Sequence, residues 1–328
     1  MGAAVLLFVA VVGAILFVAS LIGGRRSNWF VAYAYLLPVL LMLTIGLLYP
    51  ALLTIDQSFL QEANDSKVPI LNLQIPFANL PDYTLNHYQT IFTTSGQLTV
   101  LRNTVLWVVL TPFVATAVGL VYAILVDKAR LESLAKALIF LPMSISFVGA
   151  GIIWKFVYEF RPDQGEIKQI GLLNQIIVWL GGSPQQWLVE SPWNTLFLIM
   201  VMIWIQAGFA MTVLSAAIKA IPDDIIEAAR LDGVTALGMF RFITLPSIRP
   251  TVVVVLTTIG IGTLKVFDIV RTMTGGNFNT SVIANEFYDQ SFRSNNPGLG
   301  AALAVLLFIL VIPIVVYNIR QLRAAEAR

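Results

Sequence analysis

Residues 191–218 read SPWNTLFLIMVMIWIQAGFAMTVLSAAI, and residues 219–246 continue as KAIPDDIIEAARLDGVTALGMFRFITLP. The first stretch contains no Asp, Glu, Lys or Arg. A helix needs about 20 mostly apolar residues to cross the hydrocarbon core of a bilayer, and this stretch is longer than that. The second stretch returns at once to charged residues. The pair predicts a membrane-spanning helix that ends in a polar loop.

Long apolar runs alternate with charged segments along the rest of the chain as well. Of its 328 residues, 58% are hydrophobic and only 12% are charged, whereas soluble domains carry about 25% charged residues. The fold class predicted is an all-α integral membrane protein with seven transmembrane helices. The predicted spans are 3–22, 32–54, 104–125, 137–157, 195–217, 250–270 and 299–319.

The first predicted span allows a second interpretation, a cleaved signal peptide. A signal peptide has positive charge before its apolar region, but here Arg25 and Arg26 follow the apolar run. We therefore expect an anchor with its N-terminus outside.

The positions of the basic residues predict the orientation of the remaining spans. With the N-terminus outside, twelve of the 20 lysines and arginines fall in the inner segments, as the positive-inside rule requires. The predicted topology is N-out and C-in. Residues 56–102 then form an outer loop, and residues 219–249 form a cytosolic loop.

Several classes of function lack the residues they need. The chain has no cysteine and a single histidine, His87, so no multi-histidine or thiolate metal site is expected. The sequence contains no G-x-x-x-x-G-K-[ST] phosphate loop, no HExxH and no GxSxG. We expect no catalytic residues, no metal and no cofactor bound by this chain. No basic run suggests a nucleic-acid partner.

The cytosolic loop is predicted to form a helix, a turn and a second short helix. Pro222 suits the first position of a helix, with Asp223 and Asp224 in its positively polarised first turn. Gly233 is expected to end this helix in the left-handed conformation. Thr235 can cap the second helix, and Pro246 is expected to end it.

One face of the first helix is predicted to be buried. Ile225, Ile226, Ala229 and Leu231 are the apolar residues available for it. A solvated connector is the ordinary interpretation of such a loop. Its size and its alternation of apolar and charged positions favour a surface that binds a partner.

The spacing within this loop resembles the EAA loop of the membrane subunits of bacterial ABC importers. Glu227, Ala228 and Ala229 are followed after three residues by Gly233, and after nine more by Ile243-x-Leu245-Pro246. The resemblance implies that the first short helix docks on a separate ATPase. The coupling residues it implies are Glu227, Ala228, Ala229, Arg230, Asp232, Gly233, Leu245 and Pro246.

Other stretches, including KVFDIVRTMTGG at 265–276, resemble the sugar-importing branch of this family, in particular the first membrane subunit of α-glucoside and maltose-type importers. This resemblance implies a type I permease domain with a six-helix core at residues 27–328, preceded by an extra helix at 1–26. It also implies that the chain lies in the bacterial cytoplasmic (inner) membrane. The partners it implies are a second homologous permease subunit, two ATPase subunits that carry ATP and Mg²⁺, and an extracytoplasmic sugar-binding protein.

Polar and aromatic residues inside the spans predict where a solute passes. The candidates are Trp204, Gln206, Phe209, Thr263, Lys265 and Asp268. Aromatic faces stack on sugar rings, and amides and hydroxyls bind their hydroxyl groups. The alternative for the aromatic residues is packing. For Lys265 and Asp268, which would share a helix face, it is a structural salt bridge.

Two other functions remain open. One is an ion-coupled carrier or a membrane enzyme, which would work without ATPases. A carrier would be expected to hold carboxylates near the bilayer midplane, but no carboxylate in the predicted spans lies deeper than Asp268. A homodimeric importer for a solute other than a sugar would keep the same coupling loop.

Overall fold

The computed structural model describes residues 13–14, 17, 36–60, 67–68, 73–77, 83–127, 129–162 and 170–326. The chain divides into two compact units, Met1–Thr84 and Leu85–Arg328. The predicted division between residues 26 and 27, and nearly all of the predicted first span at 3–22, lie outside the described residues.

The described residues of the first unit include a long apolar helix and a short strand pair. Helix α1 spans Leu36–Phe59 and includes a π-helical turn at Thr44–Leu48. Pro50 is the second residue of the α-helical part that follows this turn. Strands β1 (Lys67–Val68) and β2 (Leu73–Gln74) pair antiparallel. The helix continues five residues past the predicted span 32–54, into the region predicted as the outer loop 56–102.

Helices are the regular secondary structure of the second unit's described residues. Its helices are α2 (Asn86–Thr93), α3 (Ser95–Val126), α4 (Glu132–Phe140), α5 (Phe147–Val157), α6 (Leu172–Trp179), α7 (Trp193–Lys219), α8 (Asp223–Leu231), α9 (Ala236–Leu264), α10 (Asp268–Met273), α11 (Ile283–Phe292) and α12 (Pro297–Glu326). Helix α2 and the first turns of α3 lie within the predicted outer loop, residues 56–102.

Five described helices are long and apolar enough to cross a membrane, namely α1, α3, α7, α9 and α12. A sixth crossing is possible where α4 and α5 form a bent pair. The helical membrane fold is therefore confirmed, and the two-residue strands β1 and β2 are a departure from the all-α prediction. The count of seven and the N-out orientation stay predictions.

A break divides the predicted span at 137–157, because α4 and α5 meet at a bend of 100°. A 3₁₀ turn at Leu141–Ser144 follows α4, and Pro142 lies at its start. Ser146 then caps α5 by accepting a hydrogen bond from the Gly149 N–H at 3.1 Å. Proline removes a helical donor and a serine cap starts a new helix, so the two together divide the span.

The predicted span at 250–270 is wrong at both ends. Helix α9 begins at Ala236, and a π-helical turn at Phe240–Thr244 leads into Pro246 without ending the helix. The helix stops at Leu264, and Asp268 starts the separate helix α10. Lys265 and Asp268 therefore do not share a helix face, and within the described residues no ion pair joins them.

Helices α3 and α7 pack closely through small residues. A side chain at Gly119 would place its Cβ 2.4 Å from Ala210 Cβ and 2.7 Å from the Met211 backbone nitrogen. Ala115 and Ala123, one turn to either side of Gly119, are fully buried. Small residues at intervals of four let membrane helices approach closely. This contact places α7 at the centre of the second unit.

We expect Gly119→Ala to destabilise the protein, because the added methyl group would collide with the backbone of α7. Overpacking of this kind costs about 1–3 kcal/mol. The matched control on the same helix is Gly96→Ala, whose added Cβ would meet nothing within 4 Å. Thermal unfolding in detergent should show a lower midpoint for Gly119→Ala only. Equal midpoints for the two variants would contradict the close packing.

Candidate functional site

The charged loop between α7 and α9 forms an elbow, which we define as residues 219–249. Its helix α8 begins directly after Pro222, with Asp223 and Asp224 in the first turn and Arg230 in the last. Acidic residues at the N-terminal end and a basic residue at the C-terminal end both interact favourably with the helix dipole. The predicted first helix of the loop is confirmed.

Gly233 ends α8 in the left-handed conformation, with φ +73°. The Gly233 N–H donates to the Arg230 carbonyl at 3.0 Å, and the Val234 N–H donates to the Ala229 carbonyl at 3.1 Å. These two bonds form a Schellman motif, which satisfies carbonyls that the end of a helix leaves free. A Cβ at this position would meet nothing within 4 Å, so the requirement for glycine is conformational rather than steric.

Thr235 begins the next helix, as predicted. Its hydroxyl accepts a hydrogen bond from the Gly238 N–H at 3.2 Å. The expectation that Pro246 ends this helix is wrong, because the helix continues into α9. The Leu245 N–H bonds to the Phe240 carbonyl, five residues earlier. Proline clashes with a normal helical turn, and a π-helical turn is a common local adjustment in such helices.

The elbow exposes a set of large apolar side chains among charged ones. Leu231 is 89% exposed, Leu237 75% and Phe242 71%. Of the apolar face predicted for α8, Ala229 is buried and Ile226 packs against the core, whereas Ile225 and Leu231 face outward. The exposed coupling candidates are Glu227, Ala228, Arg230, Asp232, Gly233, Leu245 and Pro246. Exposed apolar surface rimmed by polar residues is typical of a protein–protein contact.

A cavity of about 420 Å³ lies where the bent pair meets α7 and the start of α10. It brings together two of the predicted pathway residues, Gln206 and Asp268. The remaining lining residues are Met143, Ile145, Ser146, Phe147, Val148 and Ile205. An amide, a hydroxyl and a carboxylate around an apolar and aromatic wall can bind a solute that carries hydroxyl groups.

Four predicted pathway residues do not line this cavity. Trp204 packs edge-on against Trp154, with ring centroids 5.5 Å apart. Phe209 packs against the core next to α3. Thr263 is buried, and its hydroxyl donates to the Ile259 carbonyl at 2.8 Å. Lys265 is exposed, just beyond the end of α9.

The residues at the bend, 143–148, were missed as cavity residues. The sequence did carry a signal, because Pro142, Ser144 and Ser146 interrupt an apolar run within five residues. Gly151, farther along α5, is a packing position, because an added Cβ there would lie 3.1 Å from Thr272 Cβ.

Residues 98–323 match the family model described as "binding-protein-dependent transport system inner membrane component". The chain belongs to this family. It is therefore a multi-pass inner membrane protein, as predicted, and the matched residues include both the elbow and the cavity.

Two curated relatives resemble the chain over most of its length. The osmoprotective compounds uptake permease protein GgtC of Synechocystis is 46% identical, over 89% of this chain and 99% of its own. The alpha-glucoside transport system permease protein AglF of Rhizobium meliloti is 42% identical, over 90% of this chain and 84% of its own.

A solved structure has the same fold. It is the crystal structure of a bacterial ABC transporter involved in the import of the acidic polysaccharide alginate. The match has a TM-score of 0.70 at 23% identity and covers 91% of this chain and 96% of that one. The predicted ABC importer permease fold is thus confirmed.

Replacing Gly233 tests the turn of the elbow. Gly233→Ala forces a β-carbon into the left-handed region, at a cost of about 1 kcal/mol, whereas Asn tolerates this region better. Fraying of α8 should speed tryptic cleavage after Arg230 in detergent micelles for Gly233→Ala, and less for Gly233→Asn. Identical cleavage rates in both variants and the original protein would contradict the assigned turn.

Proposed function

We propose that this chain is the permease subunit of an ATP-driven sugar importer and takes up an α-glucoside or a related oligosaccharide. It forms half of the translocation pathway and has no ATPase site of its own. The observation that carries the proposal is the elbow, whose spacing matches the EAA pattern and whose apolar side chains are exposed. The relative named for alpha-glucoside transport supports the substrate class.

The elbow suits a contact that transmits force. Helix α8 presents Glu227 and Arg230 to solvent while Ala229 anchors its other face to the core. A partner that grips the exposed face therefore moves a helix that is packed on the membrane-spanning bundle. We propose a separate ATPase as that partner, with ATP and Mg²⁺ bound there and not on this chain. Glu227 would meet a basic residue of the ATPase.

The complete transporter needs further subunits. One elbow serves one ATPase, so a working pore pairs this chain with a second, homologous permease subunit and with two ATPases. An extracytoplasmic binding protein delivers the sugar, in keeping with the family description. ATP binding then closes the ATPases and draws the elbows together, and the cavity opens to the delivered sugar.

A second candidate substrate class has an observation of its own. The relative at 46% identity is named for uptake of osmoprotective compounds. Gln206, Ser146 and Asp268 in the cavity wall suit a small osmoprotective solute that carries hydroxyl groups as well as a disaccharide. Transport measured with each solute separates the two candidates.

The decisive experiment reconstitutes the chain with its ATPase, second permease subunit and binding protein in liposomes. We expect ATP hydrolysis that increases when the binding protein and an α-glucoside are added. Glu227→Ala should lower this stimulated rate by about fivefold or more, a typical coupling effect. Asp223→Ala, also exposed on α8, is the matched control. Uptake by this chain alone, or full coupling in Glu227→Ala, would overturn the proposal.

The cavity is tested by Gln206→Leu, which keeps the side-chain volume but removes the amide. A site built to bind hydroxyl groups loses about 1–3 kcal/mol when a polar partner is removed. We expect uptake to require a higher solute concentration, with the basal ATPase rate unchanged. The control is Thr212→Val, because Thr212 is exposed on α7 and its hydroxyl bonds only its own helix, at the Gly208 carbonyl. An unchanged half-saturating concentration in Gln206→Leu would remove this residue from the pathway.

A further inference from the structure

Three helices meet beside the elbow around a cluster of charged side chains. We define the ion cluster as Asp127, Glu132, Lys136, Ser215 and Lys219. Asp127 directly follows α3, Glu132 and Lys136 lie on α4, and Ser215 and Lys219 lie in the last turns of α7. None of these residues belongs to the EAA pattern or to the cavity wall.

Lys136 is the centre of the ion cluster. Its Nζ lies 2.6 Å from Asp127 Oδ1, 2.7 Å from Glu132 Oε1 and 2.5 Å from Ser215 Oγ. The Ser215 hydroxyl in turn donates to Asp127 Oδ1 at 2.7 Å. One ammonium group therefore connects all three helices directly.

Lys219 closes the cluster from the end of α7. It forms an ion pair with Glu132 and lies 4.0 Å from Asp127 Oδ1. Two lysines thus face two carboxylates, and the cluster is electrically balanced. Removing one of these charges leaves the cluster with an uncompensated charge, which is costly for side chains that are partly withdrawn from water. Asp127 and Lys136 are withdrawn in this way, with side chains 14% and 24% exposed.

The ion cluster connects the start of the elbow, at Lys219, to the helix that leads to the cavity. Lys219 is the last residue of α7, and only three residues separate it from the start of α8. On the other side, α4 leads through the 3₁₀ turn at Leu141–Ser144 to the bend that lines the cavity. The elbow and the bend are therefore attached to helices that the cluster joins.

A second contact fixes α4 to α7 nearer the cavity. A Cβ at Gly208 would lie 2.5 Å from the Ile139 carbonyl oxygen and 3.0 Å from the Phe140 Cα. Helices α4 and α7 are thus held at two points, by backbone contact at Gly208 and by the ion cluster. Two separate contacts resist sliding of α4 along α7 better than either contact alone.

We propose that the ion cluster is the positioning device that makes α4, and with it the bend at the cavity, follow the motion of the elbow. This inference rests on the proposed function, in which an ATPase moves the elbow. The cluster residues do not touch the solute or the ATPase. Without the cluster, the elbow moves α7 while α4 lags, and ATP hydrolysis proceeds without opening the cavity.

The test is a double-mutant cycle on Glu132 and Lys219 in the fully assembled transporter in liposomes. The variants are Glu132→Gln, Lys219→Met and the double variant, with Lys219→Arg as the conservative rescue. The readout is solute transported per ATP hydrolysed, together with the thermal unfolding midpoint. Arg293→Met is the matched control, because the Arg293–Asp289 pair at 3.4 Å joins neighbouring turns of one segment and bridges no two helices.

We expect each single variant to lower the transport per ATP by about fivefold or more. The double variant should be no worse than the worse single variant, because it leaves neither charge unpaired and keeps the Lys136–Asp127 pair. Lys219→Arg should restore the ratio, and Arg293→Met should not change it.

A direct readout of the motion is available because the chain has no cysteine of its own. Spin labels at Leu134→Cys on α4 and Ala216→Cys on α7 occupy exposed positions. We expect their separation to stay constant between the nucleotide-free and ATP-bound states, and to change on ATP binding in Lys219→Met.

Two outcomes would overturn the inference. The first is that the single variants transport as much solute per ATP as the original protein. The cluster would then serve stability alone, even if the unfolding midpoints of the variants fall. The second is that, in the protein with an intact cluster, the distance between the two spin labels changes when ATP binds. Failure of the proposed function looks different, because the transporter with an intact cluster would then show no solute-stimulated ATP hydrolysis at all.

Discussion

The close packing of α7 against α3 is the contact on which the other features depend. At Gly119 the two helices approach until a single methyl group would meet the backbone of α7. In a bilayer, lipid tails are as apolar as the side chains, so association relies on packing of this kind rather than on the hydrophobic effect. With α7 held in this way, Gln206 faces the cavity and Lys219 supports the elbow from the same rigid element.

Three departures from a regular helix in the second unit occur next to features that we assign to transport. The bend between α4 and α5 lines the cavity, and the break after Leu264 places Asp268 in the cavity wall. The π-helical turn at Phe240–Thr244 lies inside the elbow. Irregular backbone at membrane depth is tolerated only where it is buried in protein or lines a water-filled space. The irregular positions are therefore where a conformational change costs least.

The sequence predicted the elements that depend on local chemistry. Gly233 required a left-handed turn, and Thr235 offered a side-chain cap, so both appeared where the pattern indicated. The long apolar runs likewise predicted α3, α7 and α12, because length and charge alone determine whether a helix can cross. The EAA spacing added the family, which the match to residues 98–323 confirmed.

Other features depend on contacts between segments that are distant in the sequence, and these were not predicted. Pro246 was predicted to end a helix, because the sequence has no pattern that predicts the π-helical turn before it. Lys265 and Asp268 looked like a pair because a continuous helix was assumed through a region where α9 stops. Trp204 and Phe209 have the composition of a sugar site, but Trp204 packs against Trp154 and Phe209 against the core, and neither lines the cavity. The ion cluster was not predicted for the same reason, because Asp127 and Lys219 lie far apart in the sequence.

Helix α7 links the cavity, at the middle of the helix, to the ion cluster at its last turn. Gln206 and Lys219 lie thirteen positions apart, or about 20 Å along a helix, so no ligand bound at one of them touches the other. Coupling over this length needs elements with discrete arrangements that both ends influence. Helices α4 and α7 meet that requirement, because they are joined at Gly208 and at the ion cluster and they end at the bend and at the elbow. The apolar composition makes the chain a membrane protein, but the few charges at the helix ends determine which of its helices move together.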